Sequence, residues 1–240
     1  MFKRIIYCGC SNTYGHGLSD ISYPTGKIDY SKGPSKKGYP NKLAEMFKSK
    51  VINLSMPAAS NKRIGYSITR LEELGYDPLG PKDAVIFAWT WKLRHASFRH
   101  EWGDEIYLHA NHSPGSHSRT KVKASKAWLK FRAFADPDGV DLMHENAVWM
   151  HFGNTHAKQF TNSVFNIAVG NTCSPELLDI YNVRLLRDYT QLLDAGDKAL
   201  DGSHPSESTH QVLAVDLRER IIEATQMKKL TRKGDPKCKN

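Results

Sequence analysis

The sequence predicts an α/β fold: a three-layer α/β/α sandwich around a mainly parallel, doubly wound sheet, with an insertion after the third strand. Three observations carry this. Short β-prone apolar runs at Arg4–Cys8, 51–54 and Asp83–Trp89 alternate with amphipathic segments at 41–48 and 61–74. The third run is apolar from Ala84 onward, as suits a central parallel strand covered on both faces. A chain of 240 residues, 40% hydrophobic and 25% charged, is large enough for one domain with a substantial core.

The elements follow in order. The first strand ends at Gly9, and residues 11–40, rich in Gly, Ser, Tyr and Pro, read as a long loop. Leu43, Met46 and Phe47 mark one face of a helix over 41–48, and Val51, Ile52 and Leu54 a second strand. Ile64, Ile68 and Leu71 recur at helical spacing over 61–74. From about 92 to 154 the alternation breaks into a segment rich in His, Trp, Arg and Lys, read as an insertion with one helix near 125–135. Ser174 caps and Pro175 opens a long helix over 174–193. Only 194–200 separates it from the next block, so the sheet is short of a strand unless 147–152 supplies one. Val212, Leu213, Val215, Leu217 and Ile221 give the last helix, over 205–225, its apolar contacts. The expected organisation is one domain over 1–225 and a basic tail over 226–240 that frays into solvent.

No run approaches the roughly 20 apolar residues of a membrane helix, and Met1 to Tyr7 reads as the start of a strand rather than a signal peptide. The expectation is a cytoplasmic protein without membrane contact. Cys8, Cys10, Cys173 and Cys238 contain no C-x-x-C pair and read as free thiols. His100, His109, His112 and His117 lack metal-ligand spacing, so neither metal nor other cofactor is expected. A formal net charge of +9 permits an anionic partner without requiring one.

Two motifs at opposite ends carry chemistry. Gly9-Cys10-Ser11-Asn12-Thr13 places a serine just past a strand, and Asp201-Gly202-Ser203-His204-Pro205 places a carboxylate and an imidazole three residues apart. Serine, histidine and aspartate are the parts of an activated oxygen nucleophile. Ser11 and Thr90 both lie just beyond a strand's carboxyl end, where doubly wound sheets hold their ligand crevice.

With two middle blocks, these motifs resemble the SGNH hydrolases, the GDSL-type esterases, whose sheet is flavodoxin-like. The first is similar to G-D-S-x-T with Cys10 in place of aspartate, and the last matches D-x-x-H closely. Asn53-Leu54-Ser55-Met56-Pro57-Ala58-Ala59-Ser60-Asn61 looks like the block whose glycine lends an oxyanion-hole N–H, with Ala58 at that position. Ala88-Trp89-Thr90-Trp91 lies where the family has G-x-N-D, so Thr90 replaces the oxyanion asparagine. The resemblance implies Ser11 as nucleophile, His204 as general base and acid, Asp201 as its orienting carboxylate, and an oxyanion hole of the Ser11 and Ala58 N–H groups with the Thr90 hydroxyl. Asn12, Asn61, Trp91 and Arg94 fall where substrate would bind. Arg94 can hold a carboxylate or phosphate, or simply stand on the surface.

The implied activity is ester hydrolysis of a small-molecule or carbohydrate substrate, such as an O-acylated sugar. A competing reading is an SGNH-fold domain of weak or no activity that binds an anionic polymer, polysaccharide or nucleic acid, through the basic insertion with Lys121, Lys123 and Lys126. Trp102, Trp128 and Trp149 either stack on sugars or bases or pack the insertion onto the domain. The third block followed by Arg94 also looks like members encoded by tailed bacteriophages, which would place the protein in the host cytoplasm or a virion.

Overall fold

The computed structural model describes residues 2–92, 94–98, 105–109 and 140–234, with the backbone alone at 94–98, 105–109 and 228–234. Strands β1 (Arg4–Cys8), β2 (Lys50–Asn53), β3 (Asp83–Trp89), β6 (Ser163–Ala168) and β7 (Arg187–Asp188) form one parallel sheet in the order β2-β1-β3-β6-β7. The register sets Ile5 against Val51 and Ala84, and Phe87 against Asn166. Every residue of β1 and β3 is buried, as their apolar runs require. Strands β4 (Arg94–Phe98) and β5 (Glu105–His109) make a separate antiparallel pair.

The sheet reverses its winding between β1 and β3. Helix α2 (Tyr39–Met46) leads to β2 and α3 (Asn61–Ser67) returns to β3, so right-handed crossovers put them on opposite faces. The last helix, α7 (Glu207–Gly234), packs beside α2, and α4 (Val140–Lys158) packs beside α3. Gly65 and Gly153 let α3 and α4 touch backbone to backbone, since a Cβ on Gly153 would stand 2.8 Å from the Gly65 Cα. At the amino end of the sheet, buried Arg4 holds Asp83 through Nε at 3.0 Å and Nη2 at 2.6 Å.

The later chain departs from expectation. Residues 140–158, of which those up to 154 were expected in the insertion, are helix α4, so the strand considered at 147–152 does not form. The missing strands are β6 and the two-residue β7. The helix expected over 174–193 breaks into α5 (Pro175–Ile180), β7 and α6 (Thr190–Ala195), because Asn182 turns left-handed at φ 53°. Helix α7 runs on through 226–234, where a frayed tail was expected. The helix near 125–135, the Lys121, Lys123 and Lys126 patch, His100, His112, His117, Trp102, Trp128 and Cys238 lie outside the described residues.

Candidate active site

The chain leaves β1 through Gly9 and extended Cys10 (φ −102°, ψ −158°), then closes one short helical turn, α1 (Ser11–Tyr14). Thr13 and Tyr14 donate their N–H groups to the Cys10 carbonyl, and Gly15 ends the turn at φ 81°. Ser11 opens this turn, so its N–H is one of the donors a helix start leaves without an intrahelical partner. Cys10 supplies no side-chain cap, and its thiol lies in the core with Cys8, whose own thiol burial pushes up to about 12. Cys8, Cys10 and Cys173 are free and buried. Ser11 is 4% exposed.

Asp201 and His204 share one tight turn before α7. The Asp201 Oδ1 accepts the backbone N–H groups of Ser203 and His204, both at 3.0 Å, while Oδ2 lies 2.6 Å from His204 Nδ1. Burial pushes the Asp201 carboxyl up, but the two backbone donors and the imidazole outweigh it and hold it at about 2. The carboxylate is therefore charged at neutral pH and directs a proton onto Nδ1, leaving Nε2 as the basic nitrogen. Ser203 Oγ is a second neighbour of Nδ1, at 3.1 Å.

A third side chain, absent from the sequence reading, joins them. The His16 ring lies flat on His204, with centroids 4.3 Å apart and planes within 6°. Its Nε2 is 3.8 Å from Asp201 Oδ2, and the His16 N–H donates to the Ser11 carbonyl at 3.1 Å. Burial, then the charge of His204, press the His16 pKa down to about 4 against the pull of Asp201. One signal was legible: a lone histidine between two glycines, five residues after Ser11. His16, Asp201 and His204 each offer a ligand atom within 4.8 Å of the others, so they are the residues that could hold a metal. The parallel rings aim their in-plane lone pairs side by side rather than at one point, which suits a metal poorly.

Buried Asn12 and Asn61 and half-buried Asn53 tie the loops at the carboxyl ends of the strands together. Asn53 Nδ2 donates to the Thr13 carbonyl at 3.0 Å, Asn12 Nδ2 to the Val169 carbonyl at 2.9 Å, and Asn61 grips both backbone groups of Thr90. Asn12 and Asn61, placed at the substrate by the resemblance, thus spend amide groups on the scaffold. Leu54 and Met56 donate to the carbonyls of Tyr7 and Gly9, running the second block alongside the first. There Ala58 takes φ 63°, the left-handed conformation that favours glycine. Thr90 is fully buried just beyond β3. Trp91 lies against Gly170, where a Cβ would stand 2.9 Å from the indole. Arg94 begins β4, its backbone opposite His109. Among the described residues, no hydrogen bond joins Ser11 Oγ to His204; in ligand-free sites such bonds often tighten only around substrate.

A cavity of about 500 Å³ opens beyond β3 and β6, with Lys92, Thr172, Ser174, Asp179 and Arg184 among its lining residues.

No protein-family model and no curated protein sequence matches the chain. Solved structures do. An acetyl xylan esterase from the rumen bacterium Butyrivibrio proteoclasticus is similar at a TM-score of 0.52 and 11% identity, over 94% of this chain and 65% of that one. A carbohydrate esterase family 2 enzyme with a carbohydrate-binding domain, from Corynascus thermopiles (Myceliophthora fergusii), is similar at 0.50 and 11%, over 93% and 67%. The chain spans about two thirds of the length of each. The likeness is one of fold, and the fold is the mainly parallel, doubly wound α/β sandwich expected from the sequence. Among the described residues, no helix is long and apolar enough to cross a membrane.

Proposed function

We propose that the chain is a serine hydrolase that cleaves an ester, with Ser11 as nucleophile, His204 as general base and acid, and Asp201 as the orienting carboxylate. The observation that carries this reading is the 2.6 Å contact between Asp201 Oδ2 and His204 Nδ1, on a turn whose neighbour His16 is bonded to the Ser11 backbone. Asp201 fixes the tautomer in which Nε2 accepts a proton. Ser11 Oγ attacks the acyl carbon as its proton passes to Nε2, and the tetrahedral oxyanion forms. The Ser11 and Ala58 N–H groups and the Thr90 hydroxyl stabilise that charge, each such donor being worth about 3 kcal/mol. Collapse expels the alcohol, which takes the proton from His204. Water, deprotonated by His204, then attacks the acyl-serine, and collapse releases the carboxylic acid as Ser11 Oγ takes the proton back from His204.

The substrate we infer is a small acyl group, such as acetyl, on a carbohydrate. One feature supports it. The two fold neighbours described above are carbohydrate esterases. Hydrolysis of p-nitrophenyl acetate and acetylated xylan by wild type and Ser11→Ala tests this, together with covalent labelling by a fluorophosphonate. A loss of at least about 10³ in kcat and of all labelling is expected for Ser11→Ala. Equal rates and equal labelling in the two proteins would refute the assignment.

A further inference from the structure

We propose that His16 is a positioning residue for His204: its ring, stacked face to face on the imidazole, fixes the plane in which the base meets its serine. The inference rests on the hydrolase reading above. The Nδ1 contact to Asp201 anchors one edge of the His204 ring but leaves it free to tilt about that bond. A flat wall 4.3 Å away and within 6° of parallel removes the tilt.

The backbone around His16 is shaped to hold that wall. Gly15 at φ 81° and Gly17 at φ 85° both take left-handed turns on either side of it. A Cβ on Gly17 would stand 2.9 Å from the Asp201 Cγ, so only glycine lets this loop approach the carboxylate. The Gly17 carbonyl accepts the Leu200 N–H at 3.1 Å, and the His16 N–H donates to Ser11. One short segment therefore links the serine turn to the turn of Asp201 and His204. With its pKa near 4, His16 is neutral at pH 7 and presents a π face to the cation that forms when His204 accepts a proton.

Aromatic pairs of this kind are worth about 0.5–1.5 kcal/mol, or roughly 2- to 13-fold in rate. His16→Ala is expected to lower kcat on p-nitrophenyl acetate about 3- to 10-fold with KM within about twofold. His16→Phe, which keeps a flat ring without a titrating nitrogen, is expected to restore most of the rate. The same variants are read by NMR: the ring-current displacement of the His204 Hε1 resonance is present in wild type, lost in His16→Ala and kept in His16→Phe. A His16→Ala protein as fast as wild type, or a His16→Phe protein as slow as His16→Ala, overturns the proposal. So does a His204 resonance unmoved by His16→Ala. An inert wild type that takes no fluorophosphonate sinks the hydrolase reading instead, and the NMR comparison still decides whether His16 holds His204.

Discussion

Asn61 holds Thr90 by both of its backbone groups: Oδ1 accepts the Thr90 N–H at 2.8 Å and Nδ2 donates to the Thr90 carbonyl at 3.2 Å. Both residues are fully buried. The side chain thus extends the pairing of β3 beyond its last residue and sets where the Thr90 hydroxyl can stand. Asn61→Ala removes both bonds within the core, where each unmet group costs about 1–3 kcal/mol. A loss of about 2 kcal/mol or more is expected in urea unfolding, with a fall in kcat larger than any change in KM. Unchanged stability would show that Thr90 finds other partners.

Ala58 at φ 63° is the second test. A left-handed alanine costs about 1–2 kcal/mol, offset in part by the greater chain entropy glycine loses on folding. Ala58→Gly is therefore expected to raise stability by about 0.5–1 kcal/mol while keeping the N–H that the oxyanion would meet. The urea midpoint and kcat of the variant check both halves. A midpoint that moves down would mean the Ala58 methyl contributes more by packing than its backbone loses by strain.

The third concerns acid. His210 is fully buried on α7, its Nδ1 accepting the Tyr39 N–H at 3.3 Å, and burial presses its pKa from 6.5 to about 4. His16 is pressed down to about 4 as well. With the folded value below the unfolded one, both histidines leave stability intact above pH 6.5. As pH falls toward 4 the unfolded chain gains protons that the folded chain refuses. Over that window His210 alone withdraws about 3 kcal/mol, at up to about 1.4 kcal/mol per pH unit. Asp201 adds to the loss only from 3.8 down through about 2. Urea unfolding between pH 7.5 and 4.5 is expected to show this slope, roughly halved in His210→Gln, which keeps an acceptor for Tyr39.

The first half of the sheet was legible because β1 and β3 bury every residue and so appear as unbroken apolar runs. The second half hid behind buried polar groups. Strand β6 carries Asn166 at its middle, where it accepts from Trp89 Nε1 and exchanges bonds with Asn154, so its run looks interrupted. Helix α4 buries Asn146, Gly153 and Asn154 among Leu142, Ala147, Met150 and Ala157 and leaves Val148, Phe152 and, just beyond it, Phe160 exposed, which blurs its apolar stripe. The Asp201 and His204 turn was readable from spacing alone, since the bonds that build it are local. His16 was not, because a ring stack between residues 188 positions apart leaves no trace in either local stretch.

That separation has a consequence in time. The Ser11 turn leaves the ribosome before Asp201 and His204, which follow about 190 residues later. At 5–20 residues per second the nascent chain carries its serine without a base for roughly 10–40 s. On the proposed reading, any product that stops short of His204 is chemically silent.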